Sequence, residues 1–171
     1  MNTKSLIFPA TIAIDSREQL PYAFTGHRAD ARDGYCPLII PTQTIGLKAG
    51  DYSLIGRPEI AIERKTLEDL YSTLTQGRKR FQHELSKLNK LAFAAVVVEA
   101  TLEEIARWTP AYSQASGKAI VRSIIAFSTR FVRVHWFFAG DRQLGEALTF
   151  RLLERWWLDK RRVTKEPGAA A

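Results

Sequence analysis

The first third of the chain carries short apolar runs of strand type, and the remainder alternates between helical and strand periods. Ala10–Asp15 (ATIAID) reads as a short buried strand ending on an acid. Residues 20–46 hold Pro21, Gly26, Gly34, Pro37, Pro41 and Gly46 and few periodic positions. They are expected to form a long loop with some strand near Pro37–Pro41, and such a loop in a compact domain marks function or mobility. TIGLKAGDYSLIG then predicts strand, a turn at Gly50, and strand, followed by a further strand in PEIAIERK. In that strand alternate side chains share a face, so Ile60, Ile62 and Arg64 point one way and Ala61, Glu63 and Lys65 the other.

From residue 67 the period becomes helical. Leu67, Leu70, Tyr71 and Leu74 fall at i, i+3, i+4 and i+7, with Thr66 and Asp69 in capping-box spacing. Gly77 breaks that helix and a second follows, with Phe81, Leu85, Leu88 and Ala92 inward and Lys79, His83, Lys87 and Lys90 outward. AFAAVVVEA is apolar on both faces, as a central strand covered on each side must be. TLEEIARW predicts a short capped helix, residues 114–130 a helix through Ile120, Ile124, Phe127 and Phe131, FVRVHWFF a strand, and DRQLGEALTFRLLERWWL a final amphipathic helix. The tail from Asp159 is basic, then low in complexity, and residues 161–171 are expected to be disordered. No repeat or interior linker is visible, so residues 1–160 read as a single α/β domain.

Composition sharpens this picture. The 171 residues include 25 Lys plus Arg against 18 Asp plus Glu, a formal charge of +7. That surplus favours polyanionic partners through counterion release, although a solvated surface accounts for it equally well. A single cysteine, Cys36, excludes an internal disulfide, and the scattered His27, His83 and His135 argue against structural zinc. No signal-peptide segment or membrane-length apolar run is present, so a soluble, intracellular protein is expected, cytoplasmic or nucleoid-associated, with no membrane partner.

Asp51 follows a glycine at a strand boundary, twelve positions before Glu63, and Glu63-x-Lys65 closes the next strand. Phosphodiester hydrolysis uses such groups for separate reasons. Two carboxylates suit Mg²⁺, a hard cation that keeps several waters. The ion neutralises phosphate charge and acidifies a bound water. A lysine beside it orients or helps deprotonate that water and stabilises developing negative charge. The same residues also suit an ordinary surface ion pair, and spacing alone leaves both readings open.

Four ordered segments extend the pattern: IAIDSRE (Ile12–Glu18), GDY (Gly50–Tyr52), IERKTLEDL (Ile62–Leu70) and QGRKRFQ (Gln76–Gln82). Together they resemble the nuclease domain of the XPF family of structure-specific endonucleases, with its G-D-x(n)-E-R-K-x(3)-D motif, over about residues 11–158. AAVVVEA is similar to that family's central strand, and KAIVRSIIAFSTRFVRVHWF with GEALTFRLLERW to its closing helix–strand–helix. The resemblance implies a restriction-endonuclease-like fold of the PD-(D/E)xK superfamily: a central mixed β-sheet flanked by helices on both faces. It also implies a Mg²⁺-dependent DNA endonuclease, with Mn²⁺ as the alternative ion. The implied substrate is branched DNA (flap, fork or junction) in repair or recombination.

By position, the resemblance implies Asp51 and Glu63 as metal ligands and Lys65 as the catalytic lysine. Arg64 completes the invariant triplet from outside the immediate metal shell, and Asp15 and Arg17 match the family's first acid and its arginine. Asp69 matches the final acid, though helix capping alone also accounts for it. Arg78 matches a phosphate-contacting arginine or is a solvated helix start. Lys79, Lys87 and Lys90 form either a solvated face or, with His83 and the basic tail, a DNA backbone contact. Glu99 ends a buried strand, with a functional role as the lesser reading. The family's nuclease domains pair with one another, so a homodimer or heterodimer through the last helix, with Trp156 and Trp157, stands beside packing of those tryptophans within the chain.

Two departures qualify the match. The fourteen residues given after Trp157 are too few for the family's usual helix-hairpin-helix module, so none is expected there, and Ala100 stands where the family favours glycine. Rival readings on the same fold are a restriction-type or general nuclease and a non-catalytic DNA-binding subunit or accessory. The latter is disfavoured because the acidic and Glu-Arg-Lys residues are all present.

Overall fold

The structure, a computed structural model, describes residues 5–29, 36–110 and 115–165, with the backbone alone for 162–165. Its elements in chain order are β1 (Leu6–Ile7), β2 (Ile12–Asp15), β3 (Arg28–Ala29), β4 (Cys36–Ile39), β5 (Thr42–Ile45), β6 (Tyr52–Leu54) and β7 (Arg57–Lys65). There follow α1 (Leu67–Leu74), α2 (Arg78–Leu88), β8 (Phe93–Val98), α3 (Leu102–Arg107), α4 (Gly117–Arg130), β9 (Val134–Phe138) and α5 (Arg142–Lys165).

Six strands form a mixed sheet in the order β5-β2-β6-β7-β8-β9. The β2–β6 and β6–β7 pairs are antiparallel, and β2–β5, β7–β8 and β8–β9 are parallel. β8 is central because both its faces are apolar. Ala94, Val96 and Val98 pack with α1 to α4 on one side, whereas Ala95 and Val97 pack beneath α5 on the other. The strand alternation expected in β7 holds: Ala61 joins the first cluster, and Ile60 and Ile62 join the second. Arg64 therefore faces the α5 side, and Glu63 and Lys65 face the α1/α2 side. The α/β fold with helices on both faces is as expected from sequence.

Several local expectations need correction. In the 20–46 segment the strand expected near Pro37–Pro41 is present as β4 and that expected from Thr44 as β5, both shifted towards the N-terminus, whereas β3 was not expected. β3 and β4 pair with β1 in a small three-stranded sheet, and β5 joins the main sheet beside β2. A two-residue strand such as β3 carries too little periodicity to be read from sequence. Residues 30–35 of that segment lie outside the described residues, as do residues 111–114, at the expected start of α4. Helix α2 ends at Leu88, and Ala92 is exposed in the connection to β8 rather than inward. Beyond Leu88, Leu91 bonds back to the Leu88 carbonyl and Ala92 N–H to the Glu59 carbonyl, which starts the β7–β8 pairing instead. Helix α5 continues through Lys165, so residues 161–165 are helical where a disordered tail was expected. Arg155 paired with Asp159 at i+4, Lys160 over Trp156 and Arg161 over Trp157 carry the helix past its apolar stripe. The rest of that tail, residues 166–171, lies outside the described residues.

Trp156 is buried and Trp157 lies edge-on to Phe8, so both pack within the chain against the core beneath α5. No helix among the described residues is long and apolar enough to cross a membrane.

Candidate functional site

β6 begins two residues after Gly50, whose φ of +71° lies in the left-handed region. A side chain there would also press on the Ile62 carbonyl and on Ala61, at 3.0 Å from each. Glycine thus lets the chain cross β7 closely and deliver Asp51 to its flank. Asp51 N–H donates to the Ile62 carbonyl (2.8 Å), its carbonyl accepts from Asp15 N–H (2.8 Å), and Oδ2 accepts from Arg64 N–H (2.7 Å). A register shift between Tyr52 and Leu54 bends the β6–β7 pair just beyond this point, and Ser53 Oγ donates to the Ile60 and Arg57 carbonyls there. Asp51, Glu63 and Lys65 are brought together, and all three line a cleft of about 680 Å³.

Lys65 Nζ lies 2.6 Å from Glu63 Oε1 and 5.5 Å from the Phe81 ring centre. Burial pulls this ammonium's pKa down, but the attached Glu63 carboxylate outweighs it, with Asp51 and Asp69 adding, and holds Lys65 above its ordinary value. Lys65 is therefore a proton donor at neutral pH. Asp51 shows the opposite side of the same field. Burial, and then the negative charge of Glu63, push its carboxyl up to about 8, against the hydrogen bond from Arg64 N–H and the charge of Lys65. Two carboxylates are thus packed where one lysine does not balance them.

The remaining residues expected from sequence divide into groups. Asp15 and Arg17 line the cleft, locked to one another: Arg17 donates from N, Nε and Nη2 at 2.7, 2.9 and 2.8 Å, and Leu47 N–H adds a fourth bond to Asp15 at 2.9 Å. The Arg17 guanidinium lowers the Asp15 carboxyl against the effect of burial. Asp15 thereby anchors the cleft wall. Asp69 also lines the cleft; its N–H donates to Thr66 Oγ1 at 3.1 Å as the start of α1, while the carboxylate contributes to the field at Lys65. Arg64 borders the cleft, but its guanidinium is directed to the opposite face of β7, as its strand position requires, and makes a two-pronged bond to Glu99 at 2.7 and 2.9 Å. Arg78 is not in the cleft. Its guanidinium donates to Ser123 Oγ at 2.7 Å and sits 4.7 Å from the Phe127 ring, joining α2 to α4. The helical turn that buries Phe81 sends Arg80, two positions on, to the cleft instead. Of the lysine stripe, Lys79 and Lys90 are exposed and Lys87 pairs with Glu84 at 3.0 Å; none lines the cleft.

Sequence reasoning missed Glu18, Arg80 and Glu84 among the cleft residues, and it did not anticipate Glu99 as the partner of Arg64. Glu99, 8% exposed, accepts from both Arg64 and the Tyr22 hydroxyl (2.8 Å), and these bonds lower its carboxyl despite burial. One signal was available: Glu99 directly follows the β8 residue paired with Lys65, at the carboxyl end of a parallel strand.

Among the described residues there is no group of three or more His, Cys, Asp or Glu arranged to hold a metal. The two carboxylates nevertheless fit a Mg²⁺-class ion, which is held by one or two carboxylates plus waters and substrate oxygens. Asp51 Oδ1 and Glu63 Oε2 carry no protein hydrogen bond among the described residues, and the Asp51 carboxyl is raised by burial first and by the neighbouring Glu63 charge second, both of which a bound cation would offset.

A comparison with family descriptions matches residues 14–150 to the ERCC4 domain. Among solved structures, the chain is similar to XPF from Aeropyrum pernix, with TM-score 0.57 and 17% identity, covering 91% of this chain and 67% of that one. It is also similar to XPF from Aeropyrum pernix in complex with DNA, with TM-score 0.58 and 19% identity over 88% of this chain and 66% of that one. At these identities the structural likeness shows the fold, and the chain spans about two thirds of the length of both. No curated protein matches.

Proposed function

This chain belongs to the ERCC4 domain family, and from that premise we propose that it is a Mg²⁺-dependent DNA endonuclease whose active site is the Asp51–Glu63–Lys65 cleft. The observation that carries the reading is the convergence of the acid just before β6 with the Glu and Lys of β7 in one cleft. Asp51 and Glu63 would hold the ion, which supplies phosphate-charge neutralisation and an acidified water. Water attacks the phosphorus, the P–O3′ bond breaks, and the products carry 5′-phosphate and 3′-hydroxyl ends. Lys65, a donor beside Glu63, orients the attacking water and offsets negative charge that develops on the phosphate oxygens. Arg17 and Arg80 line the same cleft and are the contacts for backbone phosphates.

Branched DNA is the proposed substrate class. The test is cleavage of matched single-stranded, duplex, flap and junction DNA with and without Mg²⁺. Metal-dependent cutting that favours the branched members is expected. Equal cutting of all four would point to a general nuclease, and binding without cutting to a non-catalytic subunit.

Phosphate contacts also predict salt dependence. DNA binding should weaken steeply with salt, and Arg80→Ala should lower the log–log slope by about one. An unchanged slope measured by fluorescence anisotropy would remove Arg80 from the DNA path.

Asp51 links stability to pH. A carboxyl with a folded pKa raised to about 8 favours folding while protonated. That contribution is present below the unfolded value near 4 and is lost as pH rises towards 8, on the order of a few kcal/mol. Metal-free wild type should therefore lose Tm over this window relative to Asp51→Asn, and Mg²⁺ should restore more of it at pH 8 than at pH 6. Thermal melts of both proteins across this range, with and without Mg²⁺, check this. Parallel curves would show that Asp51 is neither strained nor a ligand.

A further inference from the structure

The N-terminal turns of α5 hold residues 20–27 at four polar points. Arg142 Nη2 donates to the carbonyls of Leu20 and Pro21, both at 2.9 Å, and its guanidinium lies 5.0 Å from the Tyr22 ring centre. Arg142 Nη1 is 3.6 Å from Glu99 Oε1. Glu146 accepts from Ala23 N–H at 3.2 Å and meets His27 Nε2 at 3.0 Å. Between them, Gly145 leaves room for the Tyr22 hydroxyl: a Cβ there would lie 2.5 Å from that oxygen and 3.2 Å from Glu99 Cγ.

The gripped segment continues directly from the cleft wall, since Glu18, Gln19 and Leu20 all line the cleft. Glu18 closes its own turn by accepting from Leu20 N–H at 2.8 Å, and it also meets Arg64 Nη1 at 3.4 Å. Past Tyr22 the backbone enters the left-handed region at Phe24, with φ of 51°, which a non-glycine side chain holds only when its surroundings fix it. Tyr22 stacks on Tyr52 of β6, the residue after Asp51, with ring centres 5.0 Å apart.

We propose that Arg142 is a positioning residue that latches the Glu18–Pro21 lip of the cleft to α5 and, through Glu99, to Arg64 on the strand bearing Glu63 and Lys65. This role rests on the reading of the cleft as a nuclease site. Arg142 reaches no metal-ligand candidate itself; it acts by fixing the Leu20 and Pro21 carbonyls, midway between the Asp15–Arg17 pair and the buried Tyr22 that hold the two ends of the lip. Its side chain is 45% exposed, so its loss removes a tether rather than core packing.

Hydrogen exchange read by mass spectrometry on peptides spanning residues 18–24, combined with steady-state cleavage kinetics and thermal melts, tests the latch in wild type, Arg142→Ala, Arg142→Lys and Gly145→Ala. The expected result for Arg142→Ala is exchange in the lip roughly tenfold faster or more, with the rest of the sheet unchanged. Its kcat should fall roughly tenfold to a hundredfold while KM and the Mg²⁺ requirement stay near wild type. Arg142→Lys should recover part of both effects, because an ammonium can still donate to the two carbonyls. Gly145→Ala should loosen the lip through Tyr22 with every polar group retained. Unchanged lip exchange in Arg142→Ala overturns the latch whether or not the wild type cuts DNA. Faster exchange with unchanged kcat overturns its catalytic role. A wild type inactive with Mg²⁺ overturns the nuclease reading, while the exchange arm still decides the latch.

Discussion

Lys65→Ala and Asp51→Asn are each expected to cut Mg²⁺-supported cleavage roughly 10²- to 10³-fold or more, about 3–4 kcal/mol of transition-state stabilisation. The two losses have different physical origins. Lys65 is an ammonium held above its ordinary pKa, so alanine removes a donor and a positive charge. Asp51→Asn keeps an oxygen to accept from Arg64 N–H, the bond that sets the 2.7 Å contact, but removes the charge an ion requires. The fold and most DNA binding should survive both, because neither side chain ties the sheet together. Single-turnover cleavage at saturating Mg²⁺, with circular dichroism as a control for folding, provides the measurement. A near-normal rate in either variant would remove that residue from the active site.

Glu99→Ala should be the most destabilising single change at a polar position. Glu99 and Arg64 are 8% and 7% exposed at their side chains and joined by two short bonds, with Tyr22 and Arg142 as further partners. Truncating one member leaves a buried guanidinium and a buried hydroxyl without their main acceptor. The cost is about 3–5 kcal/mol, or a Tm drop of roughly 10 °C for a chain of this size. Glu18 lies 3.4 Å from Arg64 and recovers only part of this, because it approaches a different nitrogen at longer range. Glu99→Gln should lose less, since its shape and one acceptor oxygen remain. A Glu99→Ala protein that melts within 2 °C of wild type, on the order of the smallest shift a 1 kcal/mol change produces, would mean that Arg64 finds another partner.

Arg64 shows why residue identity and residue role separated. Its place in the Glu-Arg-Lys triplet was legible, and strand alternation put it on the face opposite Glu63 and Lys65, where the structure has it. Its partner was not legible, because Glu99 lies 35 positions away and reaches it only when β7 and β8 pair in parallel register. Arg78 and Arg80 make the converse case. They are two residues apart in one basic helix, and the motif pointed to the first. Which of them faces the cleft depends on how α2 seats Phe81 against the sheet, and that seating turns Arg78 towards Ser123 and Phe127 of α4.

The sequence by itself determined the central strands, the helical faces, the layered α/β class and the Asp51, Glu63 and Lys65 constellation. These depend on local periods and on short spacings along neighbouring strands, and both are written in consecutive residues. Tertiary structure alone decided that β3 and β4 join β1 in a second sheet and that residues 20–27 are held by the start of α5. Each of these depends on a partner placed by chain crossing, over as many as 123 positions between Ala23 and Glu146, and no local pattern encodes such a distance.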